Sequence, residues 1–395
     1  MTEHEKKDGY DDKDDYIDVA KNAEYQNQSR YYYNEFLNWR SSGKNRYAYS
    51  FVRRKSEHSY VDGQGFISKT PEETEQRVLH RCCRLVAMTM FTMILFTIAE
   101  IIYVAGYTGG ECFTLSQVFY GQPLNTYNVP LAVCGVICAI RVMKYLIPIL
   151  IFVLDAKIPK AVMLPKADKK IPDMAACSLV MALMVTIFCR HAGSWSSYIF
   201  RFFGTNALRS DFVYSDDILS VLLFGLCNCI VTAALSEILF RGLILQTLRQ
   251  FGDMFALIVC CVSATFCSFD LSSAGYTFCM SIIITLFTLR SGSIMVAIVM
   301  KMSSLLLNFA LNMIEVYVPE KSAVLTEYIV CFIIIALSLV IYARVMLSRN
   351  FSFNIDTSKT HLSLSRKLII FLSDNMIMLW LIFTLSGGIF LMIML

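Results

Sequence analysis

Residues 218–250 read ILSVLLFGLCNCIVTAALSEILFRGLILQTLRQ, and before Arg249 the only charged side chains in this stretch are Glu237 and Arg241. About 20 apolar residues are enough for a helix to cross the hydrocarbon core, so the stretch is a membrane-spanning helix with length to spare. An unpaired ion at that depth costs about 2.5–3.5 kcal/mol even on lenient insertion scales, so both charges should face protein rather than lipid. Four residues apart, they share one helix face and can neutralise each other. At the usual helical rise Glu237 sits about 18 Å before Arg249, which puts the pair near mid-bilayer.

The rest of the chain agrees with that class. Hydrophobic residues make up 56% of the 395 and charged residues only 17%, arranged in long apolar blocks, as in a multi-pass membrane protein. The formal charge of +4 is too small to indicate nucleic acid as a partner. Most of the 14 cysteines stand singly inside apolar segments (Cys134, Cys138, Cys177, Cys227, Cys229, Cys260, Cys267, Cys279, Cys331), where a free thiol acts as a small hydrophobe. No Cys-x-x-Cys pair has matching His spacing, so neither a zinc site nor a disulfide framework is expected, and no metal or other cofactor.

Four regions follow. Residues 1–83 are rich in Asp, Lys, Tyr, Asn and Ser, lack sustained apolar periodicity, and are expected to form a disordered polar cytoplasmic tail. Tyr31-Tyr32-Tyr33 and the aromatic residues up to Tyr49 read as incidental within it. No apolar segment of signal-peptide type opens the chain. Residues 84–214 should hold N-terminal transmembrane helices, 215–316 a polar-decorated core, and 317–395 C-terminal transmembrane helices.

Apolar segments run from Leu85 to Ala105, Pro130 to Leu154, Met174 to Cys189, Ile218 to Gln250, Met254 to Phe269, Tyr276 to Leu289, Ile294 to Met313, Leu325 to Leu347 and Leu368 to Leu395. The expected fold is therefore all-α, a polytopic transmembrane helix bundle of about eight or nine spans. Lys157, Lys160, Lys166, Lys169 and Lys170 after the second segment, and Arg344, Arg349, Lys359, Arg366 and Lys367 after the eighth, place those ends in the cytoplasm. The loop Thr108 to Asn128 has no Lys or Arg and reads as external. Arg190, Arg201 and Arg209 run against this topology, unless Ser194 to Phe203 lies as an interfacial amphipathic helix. These features point to the cell membrane, with a cytoplasmic N-terminus.

Ile218 to Asn312 resembles the core of the CAAX protease and bacteriocin-processing (Abi) family of intramembrane proteases. That family's first motif, Glu-Glu-x-x-x-Arg continuing as Phe-Arg-Gly, is matched by Ser236-Glu237-x-x-Phe240-Arg241-Gly242 in all but the first Glu. Its second, Phe-x-x-x-His, is matched by Phe266 to Asp270 with Asp in place of His. Its third, His-x-x-x-Asn after a Thr-Gly-Ser-Ile-like turn, follows Arg290-Ser291-Gly292-Ser293-Ile294, and the His and Asn positions fall on Lys301 and Leu305. A shift of one turn would bring Asn308 to the site instead.

The resemblance implies a peptidase site in which a Glu, two His and an Asn activate water and stabilise the oxyanion. Here Ser236, Asp270, Lys301 and Leu305 occupy those positions, and the five histidines (His4, His58, His80, His191, His361) lie in the tail or at helix ends. Three readings fit. In the first, Glu237 and Arg241 hold helices in register, Asp270 and Lys301 form a compensating ion pair, and the protein is a catalytically impaired homologue. In the second, Ser236 is a nucleophile with Lys301 as its base, which requires a neutral lysine. In the third, Glu237 and Asp270 share a proton as general base. The implied partners are the lipid bilayer and a hydrophobic or prenylated peptide.

Other polar residues in apolar segments weigh toward packing. Glu100, Arg141 and Lys144 could line a transport path, but close to helix ends such groups commonly snorkel. Ser303, Ser304 and the Gly387-Gly388 pair read as helix-packing positions.

Overall fold

A computed structural model describes residues 29–42, 45–49, 58–61, 65–68, 71–109, 129–167, 172–202, 217–271, 273–347 and 360–394. The described residues form twelve helices and one antiparallel hairpin. They are α1 (Arg30–Ser41), β1 (His58–Val61), β2 (Gly65–Ser68), α2 (Pro71–Tyr107), α3 (Leu131–Ala156), α4 (Lys160–Met163), α5 (Pro172–Phe202), α6 (Ile218–Phe251), α7 (Asp253–Thr265), α8 (Ala274–Ser291), α9 (Ile294–Tyr317), α10 (Glu320–Leu347), α11 (Leu364–Ser373) and α12 (Asn375–Met394).

Six helices are long and apolar enough to cross a membrane: α2, α3, α6, α8, α9 and α10. The pair α11 and α12, bent by 69° at Asp374, makes a seventh if it counts as one span. The third and fifth apolar segments of the sequence are the shorter apolar stretches Met174–Arg190 and Asp253–Thr265. Large apolar side chains such as Phe332, Val340, Phe188 and Leu154 stand exposed on the outer faces, an arrangement that suits acyl chains rather than water. The protein is a multi-pass helical membrane protein.

Local chemistry sets the helix ends. Pro71 opens α2 with Glu72 and Glu73 in its first turn, where the missing N–H and the negative charges both suit the positive helix end. Asp217 caps α6 by accepting the Leu219 N–H at 3.0 Å. Gly292, at φ +64°, closes α8 in the left-handed conformation and bonds Thr288 O, at the turn expected there.

Two departures from the sequence reading matter. Of the tail expected to be disordered, residues 1–28 lie outside the described residues, and part of the remainder packs into the core. Tyr32, Phe36 and Trp39 of α1 are 1%, 0% and 5% exposed, and Tyr47 and Tyr49 are buried beside them. Their spacing of i, i+4 and i+7 gives α1 an aromatic stripe, so a segment polar by composition still has one apolar face. The second concerns Ser194 to Phe203. As far as Phe202 it continues α5 without a break rather than forming a separate helix. Arg190, on α5, bonds Glu327 of α10 at 2.8 Å and Asn312 of α9 at 2.7 Å, and pairs with Glu315 at 3.2 Å, so it joins three helices. Most of the loop expected to be external, residues 110–128, lies outside the described residues.

Candidate functional site

The centre of the bundle is α6, and its hydrogen bonding is irregular on both sides of the charged motif. Cys227–Thr232 and Ile238–Ile244 are π-helical, and Ser236 and Glu237 close the five-residue α-helical piece between them. Each π turn inserts a residue into the helical repeat and re-aims the side chains beyond it, a device common at functional sites.

Two of the motif's residues have packing reasons. A Cβ on Gly242 would stand 2.5 Å from the Met163 carbonyl oxygen, so only glycine lets α4 approach α6 this closely. Phe240 sits in the main core cluster. Gly387 and Gly388 serve α12 in the same way, because Cβ atoms there would meet Phe269 at 2.6 Å and Leu271 at 2.5 Å, in the turn after α7.

Glu237 and Arg241 are almost fully buried, 1% and 2% exposed, and paired at 3.0 Å. Arg241 Nη1 donates to Glu237 Oε1 at 3.1 Å, and Nη2 donates to Ser281 of α8, to Oγ at 2.7 Å and to the carbonyl at 3.1 Å. The pair therefore ties α6 to α8. Glu237 Oε2 accepts no hydrogen bond, and Arg241 Nε donates none.

Both residues line a cavity of about 150 Å³ whose wall also includes Ser236, Tyr145 of α3, Cys267 and Ser268 after α7, Thr277 of α8 and Lys301 of α9. Five parts of the chain thus meet around one part-open space inside the membrane bundle. Ser236 spends its hydroxyl on its own helix, donating to Ala233 O at 2.8 Å. Lys301 approaches the Tyr276 ring at 6.0 Å and makes no ion pair among the described residues.

Asp270 lies elsewhere. It is absent from the cavity wall, and its Oδ1 accepts the Ser273 N–H at 3.1 Å, shaping the turn into α8. The expected Asp270–Lys301 ion pair does not form, because a carboxylate so close to a turn is captured by the nearest free N–H. Glu237 lines the cavity and Asp270 does not, so the wall does not bring together the two carboxylates expected to share a proton. Leu305 and Asn308 are likewise absent from the wall. Ser304 bonds Thr186 of α5 at 2.6 Å and also Tyr276 of α8, so it holds helices together, whereas Ser303 donates to Met300 O of its own helix at 2.9 Å.

Ser281, Tyr145 and Thr277 are site residues that sequence reasoning missed. Each is one of several polar groups in a largely apolar helix, and only the packing shows which of them share a cavity.

Glu100 and Arg141 form a second intramembrane pair, between α2 and α3, at 2.6 Å. Arg141 also reaches Asn228 Oδ1 at 3.5 Å and lies over the Phe224 ring at 4.8 Å. These charges are satisfied by neighbouring helices, which removes the main support for a transport path.

Residues 218–306, which contain the helices that build most of this cavity, match the family described as Type II CAAX prenyl endopeptidase Rce1-like. This segment is similar to a CAAX protease-family core. No curated protein matches the chain, and no solved structure does. The CAAX protease-like core carries Ser236, Glu237, Arg241 and Lys301 at the wall of its cavity, while Asp270 stands outside. Among the described residues, no group of three His, Cys, Asp or Glu side chains could hold a metal ion.

Proposed function

We propose that this CAAX protease-like membrane protein binds a hydrophobic or prenylated peptide in its intramembrane cavity without cleaving it, in the cell membrane with its N-terminus in the cytoplasm. The observation that carries this reading is how Glu237, Arg241 and Ser236, the cavity residues on the α6 motif, are spent. Glu237 is held by Arg241, Arg241 is anchored to Ser281, and Ser236 donates to its own helix. Hydrolysis needs a base free to take a proton from water or a nucleophile, and donors aimed at the developing oxyanion. The carboxylate present is committed to a guanidinium, and the serine would have to break a helix-backbone bond before it could attack.

A part-open site of this size, walled mainly by polar side chains with Phe240, Ala264 and Ile284 among them, suits capture of a polar end of a membrane-embedded chain. The cavity's charges, one negative and two positive, add a preference that a purely apolar groove would lack.

The test is a purified full-length preparation in detergent, incubated with a library of apolar and prenylated peptides. Binding with no cleavage is expected. Cleavage that stops on Ser236→Ala or Glu237→Ala would overturn the proposal and revive a peptidase of altered chemistry.

A further inference from the structure

Lys301 is the cavity's one ammonium, half-buried, with neither an ion pair nor a hydrogen bond to any described residue. Its nearest aromatic neighbour, Tyr276, directs its hydroxyl to Ser304 instead. Glu237 in the same wall attracts the lysine but is bonded to Arg241 and forms no close ion pair with Lys301. A cation inside a membrane bundle without a bonded partner is costly and persists where something supplies one.

The remaining wall is rich in donors. Tyr145, Ser268 and Thr277 bring hydroxyls that bond no described residue, and Arg241 Nε is an orphaned donor nine-tenths or more buried. Against these stands one unused acceptor, Glu237 Oε2, whose charge Arg241 already neutralises. The net charge of the cavity is therefore +1, counting Glu237 against Arg241 and Lys301. A void of about 150 Å³ is of the size that admits a benzene-like guest, enough for a carboxylate and its first few carbons.

We infer that Lys301 and the surrounding hydroxyls form a carboxylate site, filled by the acidic end of an apolar chain. Resting on the proposed binding function, this inference deepens it by naming which end of the ligand enters. The carboxylate completes the lysine's missing pair and accepts from the hydroxyls, while the first carbons behind it rest against Phe240, Ala264 and Ile284, the apolar part of a mostly polar wall. Two sources share this chemistry: the free C-terminus of a hydrophobic peptide, and the headgroup of a fatty acid.

The experiment uses the full chain in phosphatidylcholine nanodiscs and two matched probe pairs. One is an apolar peptide with a free or an amidated C-terminus. The other is palmitate or hexadecanol. Native protein should bind the acid form of at least one pair about tenfold or more tightly than its neutral form, the usual worth of a charge-assisted hydrogen bond. Lys301→Met should abolish that preference and Lys301→Arg should keep it. Replacing a buried cation by an apolar side chain of similar length rarely harms folding. Lys301→Gln, checked by thermal unfolding, is the second neutral variant.

Which pair shows the preference names the source. Equal affinity for acid and neutral forms in both pairs would overturn the inference, as would a preference that survives in folded Lys301→Met. Peptides that bind equally well in both forms, with no preference between the lipid probes, would leave the proposed function standing and sink the carboxylate site. Acid-selective palmitate binding with no peptide bound would do the reverse.

Discussion

Glu237–Arg241 and Arg249–Asp253 lie within seventeen residues of one another, share a spacing of four, and are both buried. Their surroundings differ. Around Arg249 the chain closes every gap. Its Nε donates to Asp253 at 2.9 Å, and its Nη1 reaches Gln246 at 3.3 Å and the Tyr32 hydroxyl at 3.4 Å. Tyr32 in turn donates to Gln246 at 2.6 Å. The neighbouring Gln250 bonds Tyr47 O and Tyr49 N, both at 2.8 Å, and Lys367 of α11 donates to Phe251 O at 2.6 Å. Trp39 and Asn45 each donate to Ala156 O, at the end of α3, at 2.9 Å.

The N-terminal segment is thus a polar clamp over the last turns of α6, and the Arg249 pair is part of the structure it locks. Glu237 and Arg241 have the same charges but open onto a void. There one carboxylate oxygen has no hydrogen bond beyond its 3.0 Å ion contact with Arg241, and one guanidinium nitrogen donates to no described residue. An ion pair sealed by hydrogen bonds on all sides fixes a shape, whereas one with orphaned atoms at a cavity wall is available to a ligand.

Three substitutions test this contrast. Arg249→Met should have the largest effect, because it leaves the buried Asp253 carboxylate without its partner. A loss of about 3–5 kcal/mol is expected, read from denaturant unfolding in detergent. An unchanged unfolding midpoint would show that the clamp holds without its ion pair. Glu237→Gln should cost less, about 1.5–3 kcal/mol, since Arg241 keeps both bonds to Ser281 and the cavity can take up water. If it proved the more damaging of the two, the cavity pair would be the structural one and the contrast would invert. Tyr32→Phe should cost about 1 kcal/mol and make residues 29–49 more open to limited proteolysis. Unchanged protection would mean that the aromatic stripe alone seats α1.

Much of this was legible in the chain itself. Glu237 and Arg241 announced themselves as charges in a hydrocarbon-length stretch, and their spacing alone predicted the pair. Lys301 was found only by counting from the Gly292 turn, yet it reaches the same cavity. Asp270 was misjudged, because motif position says nothing about whether a backbone N–H nearby will take a carboxylate. The disorder expected of residues 29–49 was misjudged as well. Their aromatic residues stand in a segment polar by composition and find their packing partners in α6 and its surroundings.

The sequence by itself determined that the chain enters a membrane as a bundle of helices and that a few charges would have to meet inside it. Hydrocarbon leaves no alternative for backbone hydrogen bonds or for ions. Tertiary structure alone decided which polar groups share a cavity, which are consumed by local turns, and which charged pair the N-terminal segment covers. Those outcomes depend on the π turns that re-aim α6 and on contacts between residues more than two hundred positions apart, which no local pattern encodes.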